Sequence, residues 1–242
     1  MKRILTLTLI LCLLLSGCTI RITTNGQKYT KLTEGSKSPE SFTSLVIEAD
    51  WAEVTIAYGD GWRVDYALPV TPEISLENGT LTIRDLTKNE LTRNVTPFIR
   101  VTVPQLTELE SVEIHLDMGI VQAKDLAITA ALTVEIDFGD VELENMQPVR
   151  LAVEVNTGKV DLERFTAQNT SITVDTGDIE AELLGDAELY TLELKTDVGD
   201  VEVADRNQGN QYAAGTGERR FTARTDVGDI EVEFIGKVSP QA

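Results

Sequence analysis

One pattern recurs along this chain: apolar-x-apolar-x-apolar-Asp-x-Gly-x-apolar-x-apolar. Counted from the acid, Asp137 has Leu132, Val134 and Ile136 at −5, −3 and −1, Gly139 at +2, and Val141 and Leu143 at +4 and +6. The same frame fits Asp117 with Gly119, Asn156 with Gly158, Asp175 with Gly177, Asp197 with Gly199 and Asp226 with Gly228. Period-two alternation of apolar and polar residues means strands with one buried face. Positions −1 and +4 are an odd number apart, so a straight strand would send them to opposite faces. Both are apolar in nearly every copy. The chain must therefore bend between them, with Gly at +2 supplying a positive φ and Asp bonding to amides two residues on. Each Asp-x-Gly is expected to be a structural corner.

Two cryptic copies precede these, at Asp50 (with Ala52 in the glycine position) and at Glu77 with Gly79. The glycine positions then fall at 52, 79, 119, 139, 158, 177, 199 and 228. The step of 40 reads as two turns, one degenerate and carried by Ile99-Arg100-Val101-Thr102-Val103. A coil of roughly 20 residues with one corner cannot bury a core alone, and stacking coils does so. The expected fold is all-β, a single-stranded parallel β-helix (a solenoid) with strands about 4.8 Å apart along its axis. A β-sandwich is the alternative for short, evenly spaced strands. Against it, hairpin turns such as Asn-Gly are nearly absent.

The first residues stand outside this pattern. Lys2 and Arg3 precede an apolar run, Ile4 to Leu15, that ends in Leu15-Ser16-Gly17-Cys18. The run is too short to span a bilayer and has the layout of a secretory leader. Its last four residues resemble a bacterial lipobox, which implies cleavage after Gly17 and a diacylglycerol, palmitate-type anchor on Cys18. Of the two cysteines, Cys12 leaves with the leader and Cys18 carries the lipid, so the folded domain is expected to have no disulfide or thiolate metal site. Residues 18–41 read as a tether, a flexible coil spanning on the order of 25 Å. The repeat domain is assigned to 42–236 and a tail to 237–242. Net charge is −19, and losing Lys2 and Arg3 takes it to −21. That acidity argues against nucleic acid and anionic membranes as direct partners, and for cations or basic partners.

The serial Asp-x-Gly-Asp-Val/Ile copies, the Val-Thr-Val-Pro-Gln-Leu segment at 101–106 and the lipoprotein leader together resemble the bacterial β-strand-repeat family called "putative adhesin", or toast-rack-like. The likeness covers nearly all of 42–236. It implies a right-handed β-helix in the cell envelope, with adhesion by name, envelope-stress systems by association, and no defined reaction.

Stacking would align Asp117, Asp137, Asp175, Asp197 and Asp226 in one column and Asp140, Asp178, Asp200 and Asp229 in another. Calcium would suit such oxygen ladders, but Asn156 and Lys159 interrupt both. Capping of the turns is preferred, with no metal or cofactor assigned. Trp51, Met118, Phe138, Val198 and Val227, between acid and glycine, are expected in the core by the parity of the corner; a surface stripe is the alternative. Trp51, Tyr58, Trp62 and Tyr66 are expected to cap the first coil. The insertions Arg84–Arg100 and Ala204–Arg220 are expected to be solvated loops. His115, the only histidine, falls at an outward position without a Ser or Cys partner, so no catalytic residue is assigned. The chain reads as a non-catalytic binding or scaffolding lipoprotein, extracytoplasmic and lipid-anchored in the cell membrane or outer membrane. The alternatives are a sensor or accessory subunit of an envelope-stress response, and a polysaccharide-active enzyme. Replacing Cys18→Ser is expected to move the protein out of the membrane fraction; retention there would refute the anchor.

Overall fold

A computed structural model of the chain describes residues 27–29, 31–85, 89–91 and 96–236. Strands begin with β1 (Gln27–Tyr29), β2 (Thr33–Lys37) and the long β3 (Ser44–Gly59). Next come β4 (Arg63–Leu68), β5 (Glu73–Glu77), β6 (Thr80–Asp85), β7 (Asn89–Leu91) and β8 (Phe98–Pro104). The long β9 (Glu108–Lys124) and β10 (Ala127–Glu144) lead into β11 (Arg150–Thr157), β12 (Val160–Phe165), β13 (Asn169–Thr176) and β14 (Ile179–Leu184). A 3-10 turn at Ala187–Leu189 precedes β15 (Tyr190–Val198), β16 (Val201–Val203), β17 (Gln211–Ala214), β18 (Arg219–Val227) and β19 (Ile230–Ile235). The protein is all-β and solenoid-like. The expected signal peptide, Cys18 and the expected tail at 237–242 lie outside the described residues. The tether expected over 18–41 is corrected in part: β1 pairs with β7 and β2 with β4, so residues 27–29 and 33–37 are strands.

Parallel pairing links successive corners. Leu116 pairs with Ile136, Ile136 with Val155, and Val155 with Val174, so like positions of the repeat stack on one another. This buries the alternating face: Val134, Ile136, Val141 and Leu143 are all within 2% of full burial. Phe165, Tyr190 and Phe221 are among the largest fully buried side chains. Two buried hydroxyls replace the apolar residue at −1 and are satisfied within the stack. Thr196 donates to the Gly228 carbonyl (2.8 Å) and Thr225 to the Gly177 carbonyl (3.0 Å).

The glycines explain how the rungs come so close. A Cβ built on Gly139 would overlap the Gly119 carbonyl, one on Gly158 the Gly139 carbonyl, and one on Gly177 the Gly158 carbonyl. Gly139 also has φ +147°, which an L side chain rarely adopts. Each glycine therefore serves two constraints at once, backbone direction and contact with the neighbouring rung.

The same contacts reveal a stacking order that differs from the order in sequence. Gly228 sits against Gly177, and Gly199 against Gly228, so the last corner lies between the two before it. Strand pairing agrees: β18 is flanked by β13 and β15, and β19 by β14 and β16. At the other end β3 is flanked by β9 on one side and by β6 and β8 on the other. The order of coils in space thus departs from their order in sequence at both ends.

Two further expectations are overturned nearby. Glu77 opens no corner: Asn78 (φ 50°) and Gly79 (φ 79°) make the tight turn of the β5–β6 hairpin, with Glu77 opposite Thr80. Positive φ at both central residues is what a two-residue hairpin needs. The step of 40 does not separate two corners: β6 pairs with the first half of β3 and β8 with the second, making one coil, and the first arm of β9 already belongs to the coil on the other side of β3.

The sheet is mixed rather than wholly parallel. Antiparallel pairings β2–β4, β4–β8, β5–β6 and β15–β17 lie at the two ends, and the sheet does not close on itself. Such strands cover the coil edges, which would otherwise offer unpaired backbone to other chains. A second corner accompanies the first, eight residues on: Asp125 (φ 59°), Asn145 (φ 53°) and Arg164 (φ 48°) are left-handed. Asn145 Nδ2 donates to Asp125 Oδ1 across the rungs.

Gly139→Ala is expected to destabilise the fold by about 3 kcal/mol, combining backbone strain with loss of rung contact. Ala52→Gly, at the start of the column, should cost about 1 kcal/mol or less. Urea midpoints of the two variants check the difference.

Candidate functional site

The corner residue between acid and glycine faces outward. Met118, Phe138, Val198 and Val227 are 46%, 55%, 64% and 47% exposed, which corrects their assignment to the core. The physical reason is the place of the bulge. Residues −1 and +4 point inward, but acid and follower both turn outward before the glycine redirects the chain. Register aligns these followers as one ridge: Trp51, Met118, Phe138, Thr157, Thr176, Val227 and Val198. The ridge is apolar at both ends and carries threonine in the middle.

Acids flank the ridge on both sides, and the hydrogen bonds distinguish the two columns. On the +3 side, Asp140 accepts from the Lys159 amide, Asp178 from the Asp229 amide and Asp229 from the Asp200 amide, each at 2.8 Å. The capped amide belongs to the adjacent coil, where the turn's own amide was expected. On the other side Asp137 accepts from the Asn156 amide nitrogen at 2.8 Å. Asn156 thus turns a like-charge contact into a hydrogen bond. Lys159 in turn meets Glu180 (2.6 Å) and Asp161 (3.7 Å). Among the described residues no group of three or more His, Cys, Asp or Glu could hold a metal ion.

The sheet after the corner carries a second set of carboxylates. Register lines up Glu142, Asp161, Glu180, Glu231 and Glu202. Partial burial, and then repulsion from Glu180, Glu202, Glu233 and Asp205, push the Glu231 carboxyl above its ordinary range.

His115 lies on the outward face before the corner, as its position in the repeat implied. Its Nδ1 is 2.9 Å from Glu135 and its Nε2 2.7 Å from Glu113. Glu48 of β3 is its register neighbour on the other side. Partial burial lowers its affinity for a proton, but the bonds to Glu113 and Glu135 outweigh this and the pKa is raised. Both ring nitrogens are engaged by carboxylates, so the imidazole acts as a clasp between β9 and β10.

The early aromatics divide between two places. Tyr66 is buried, Tyr58 and Trp62 pack against the core, and Trp62 meets Phe42 with ring centroids 4.4 Å apart. Trp51 joins the ridge instead. Of the basic residues in the first insertion, Arg84 forms a two-pronged bond to Glu48 and Arg100 stacks over Phe98; Lys88 and Arg93 lie outside the described residues. In the second insertion β17 pairs along β15, and Arg219 stacks on Tyr190 while donating to the Leu184 carbonyl. Both insertions are partly structural. Beside β17 an apolar cavity of about 460 Å3 opens between Tyr190, Leu192, Tyr212 and Phe234.

The family model described as Toastrack DUF4097 matches residues 73–233, well over half of the chain. The chain belongs to the Toastrack DUF4097 family. A crystal structure described as a putative adhesin from Bacteroides fragilis is similar to this Toastrack chain, with a TM-score of 0.51 and 14% identity. The match covers 86% of this chain and 100% of that one. Another, described as a putative cell adhesion protein from Clostridium sporogenes, has a TM-score of 0.46 and 12% identity, over 85% of this chain and 100% of that one. At such identities the likeness concerns the fold. No curated protein matches the chain.

In this Toastrack domain the His115 clasp should depend on pH in one direction. A histidine whose folded pKa is raised stabilises fully below its unfolded value, near 6.5, and loses that contribution as pH rises through the folded value. The carboxylates must stay ionised, so the window closes again at strongly acidic pH. His115→Gln is therefore expected to cost up to about 1 kcal/mol near pH 5.5, because the pair is partly exposed, and progressively less as the pH rises above about 6.5. Thermal melts across that range check the sign, and NMR titration of the imidazole checks the raised pKa.

Proposed function

We propose that the protein is a non-catalytic, adhesin-like binding module of the bacterial envelope. In this reading it is extracytoplasmic and held by lipid on Cys18, and its solenoid is a right-handed parallel β-helix. The observation that carries the proposal is the corner ridge, where large apolar side chains stand in solvent on rungs held in strict register. Exposed apolar surface on a rigid scaffold is a usual mark of interaction sites. Support also comes from His115, whose nitrogens are both taken up by structural carboxylates and are not aimed at a nucleophile. The description of the Bacteroides fragilis relative as a putative adhesin agrees with a binding role.

Binding of the full chain, made soluble by Cys18→Ser, to isolated bacterial envelopes tests the proposal. Saturable binding that survives His115→Gln is expected. Absence of binding, or release of soluble polymer fragments with turnover, would overturn it.

A further inference from the structure

The ridge places its three largest side chains on consecutive rungs at one end. Trp51 of β3 is in register with Met118 of β9, and Met118 with Phe138 of β10. Met118 and Phe138 are about half exposed. Adjacent rungs lie roughly 4.8 Å apart, so the three residues make an apolar rail on the order of 10 Å long. At the next two rungs of the same column the chain uses Thr157 and Thr176. The corner therefore accepts a polar residue at this position without loss of the pattern, and apolarity here is not a demand of the turn.

The surroundings of the rail narrow its partner. Asp117 and Asp137 stand immediately before Met118 and Phe138 along the chain, and on the far side of the corner Glu53 and Asp140 flank Ile120 of the middle rung. Asp137 and Asp140 are engaged by Asn156 and the Lys159 amide, neutral donors that leave the negative charge in place. A second copy would bring the same acids against these, and the net charge of −19 makes that encounter repulsive. An anionic lipid surface or a nucleic acid is opposed in the same way. What remains complementary is an apolar stripe bordered by lysine or arginine.

Spacing then selects the form of that stripe. In an extended strand, side chains on one face repeat every two residues, about 6.7 Å, and fall out of step with the rungs at once. Along an α-helix, one turn advances 5.4 Å, so residues at i, i+4 and i+7 stay within about an ångström of three consecutive rungs. We propose that the Trp51–Met118–Phe138 rail is a docking site for a cationic amphipathic helix of another protein, its apolar stripe lying along the rail and its basic flanks against Asp117 and Asp137 on one side and Glu53 and Asp140 on the other. This rests on the binding-module reading above and names the chemistry of its partner.

A fluorescein-labelled, helix-forming Leu/Lys peptide with leucines at i, i+4 and i+7 serves as the probe, with anisotropy as the readout on the full chain carrying Cys18→Ser. Saturable binding is expected. The double variant Met118→Thr, Phe138→Thr adopts the residue that the column already uses at 157 and 176, so it should fold normally by circular dichroism. It is expected to weaken binding at least tenfold. Glu180→Gln with Glu231→Gln, on the acidic face away from the rail, should leave affinity unchanged. The proposal is overturned by no binding, by equal binding of a scrambled peptide of the same composition, or by losses as large in the Glu180/Glu231 variant as in the rail variant. Envelope binding that persists while the peptide fails to bind would sink this partner and spare the binding-module reading; loss of both would sink the two together.

Discussion

At the corners from Gly139 onward, a glycine lies so near the carbonyl of the glycine one rung away that no side chain fits between them. That contact fixes how rungs index on one another. A slip by one residue would drive Phe138 or Asp140 into the Gly119 carbonyl, so register is enforced by sterics before any apolar contact is counted. With register fixed, the columns follow. Val134 and Ile136 lie against Val153 and Val155, and Val141 and Leu143 against Val160 and Leu162. The core is thus built from repeated aliphatic pairs, and dense packing of such pairs supplies most of the favourable free energy.

Exact stacking has an electrostatic consequence, because identical positions bring identical charges within 5 Å. The chain answers with substitutions at chosen rungs and with backbone amides. Lys124 faces Glu144, Lys195 faces Asp197, and Arg224 bridges Asp197 and Asp226. Exposed pairs of this kind each contribute little to stability. Their larger effect is to interrupt columns that would otherwise be wholly negative. Where no cation intervenes, as around Glu231, partial burial and then the repulsion of neighbouring carboxylates make a carboxyl that holds its proton more tightly.

Much of this was legible from Asp-x-Gly and from parity. The alternation around Asp137 identifies the buried residues, and the odd spacing from −1 to +4 demands a bend. Parity alone does not say which peptide carries the bulge, and it points Met118 and Phe138 inward where the fold turns them outward. The second corner at Asp125, Asn145 and Arg164 does carry a signal, a fixed distance of eight from the first, but its residue types vary too much for a glycine-centred template. Pairing partners at the ends were not readable at all. Sequence spacing says which residues are equivalent and is silent on which equivalents become neighbours.

That last point bears on how such a domain can change in size. The strands nearest the two chain ends of the repeat, β3 and the β18–β19 pair, each lie between two other coils. A tandem duplication at either end of the gene would add a coil where no free edge exists to receive it, whereas one in the middle, around β11 to β14, would simply lengthen the stack. Variation in length among such chains should therefore arise from their centre. Folding carries the same imprint: the coil of β15 and β16 has no parallel neighbour until the chain has gone past it, laid down β17 and come back, so β18 and β19 act as the keystone.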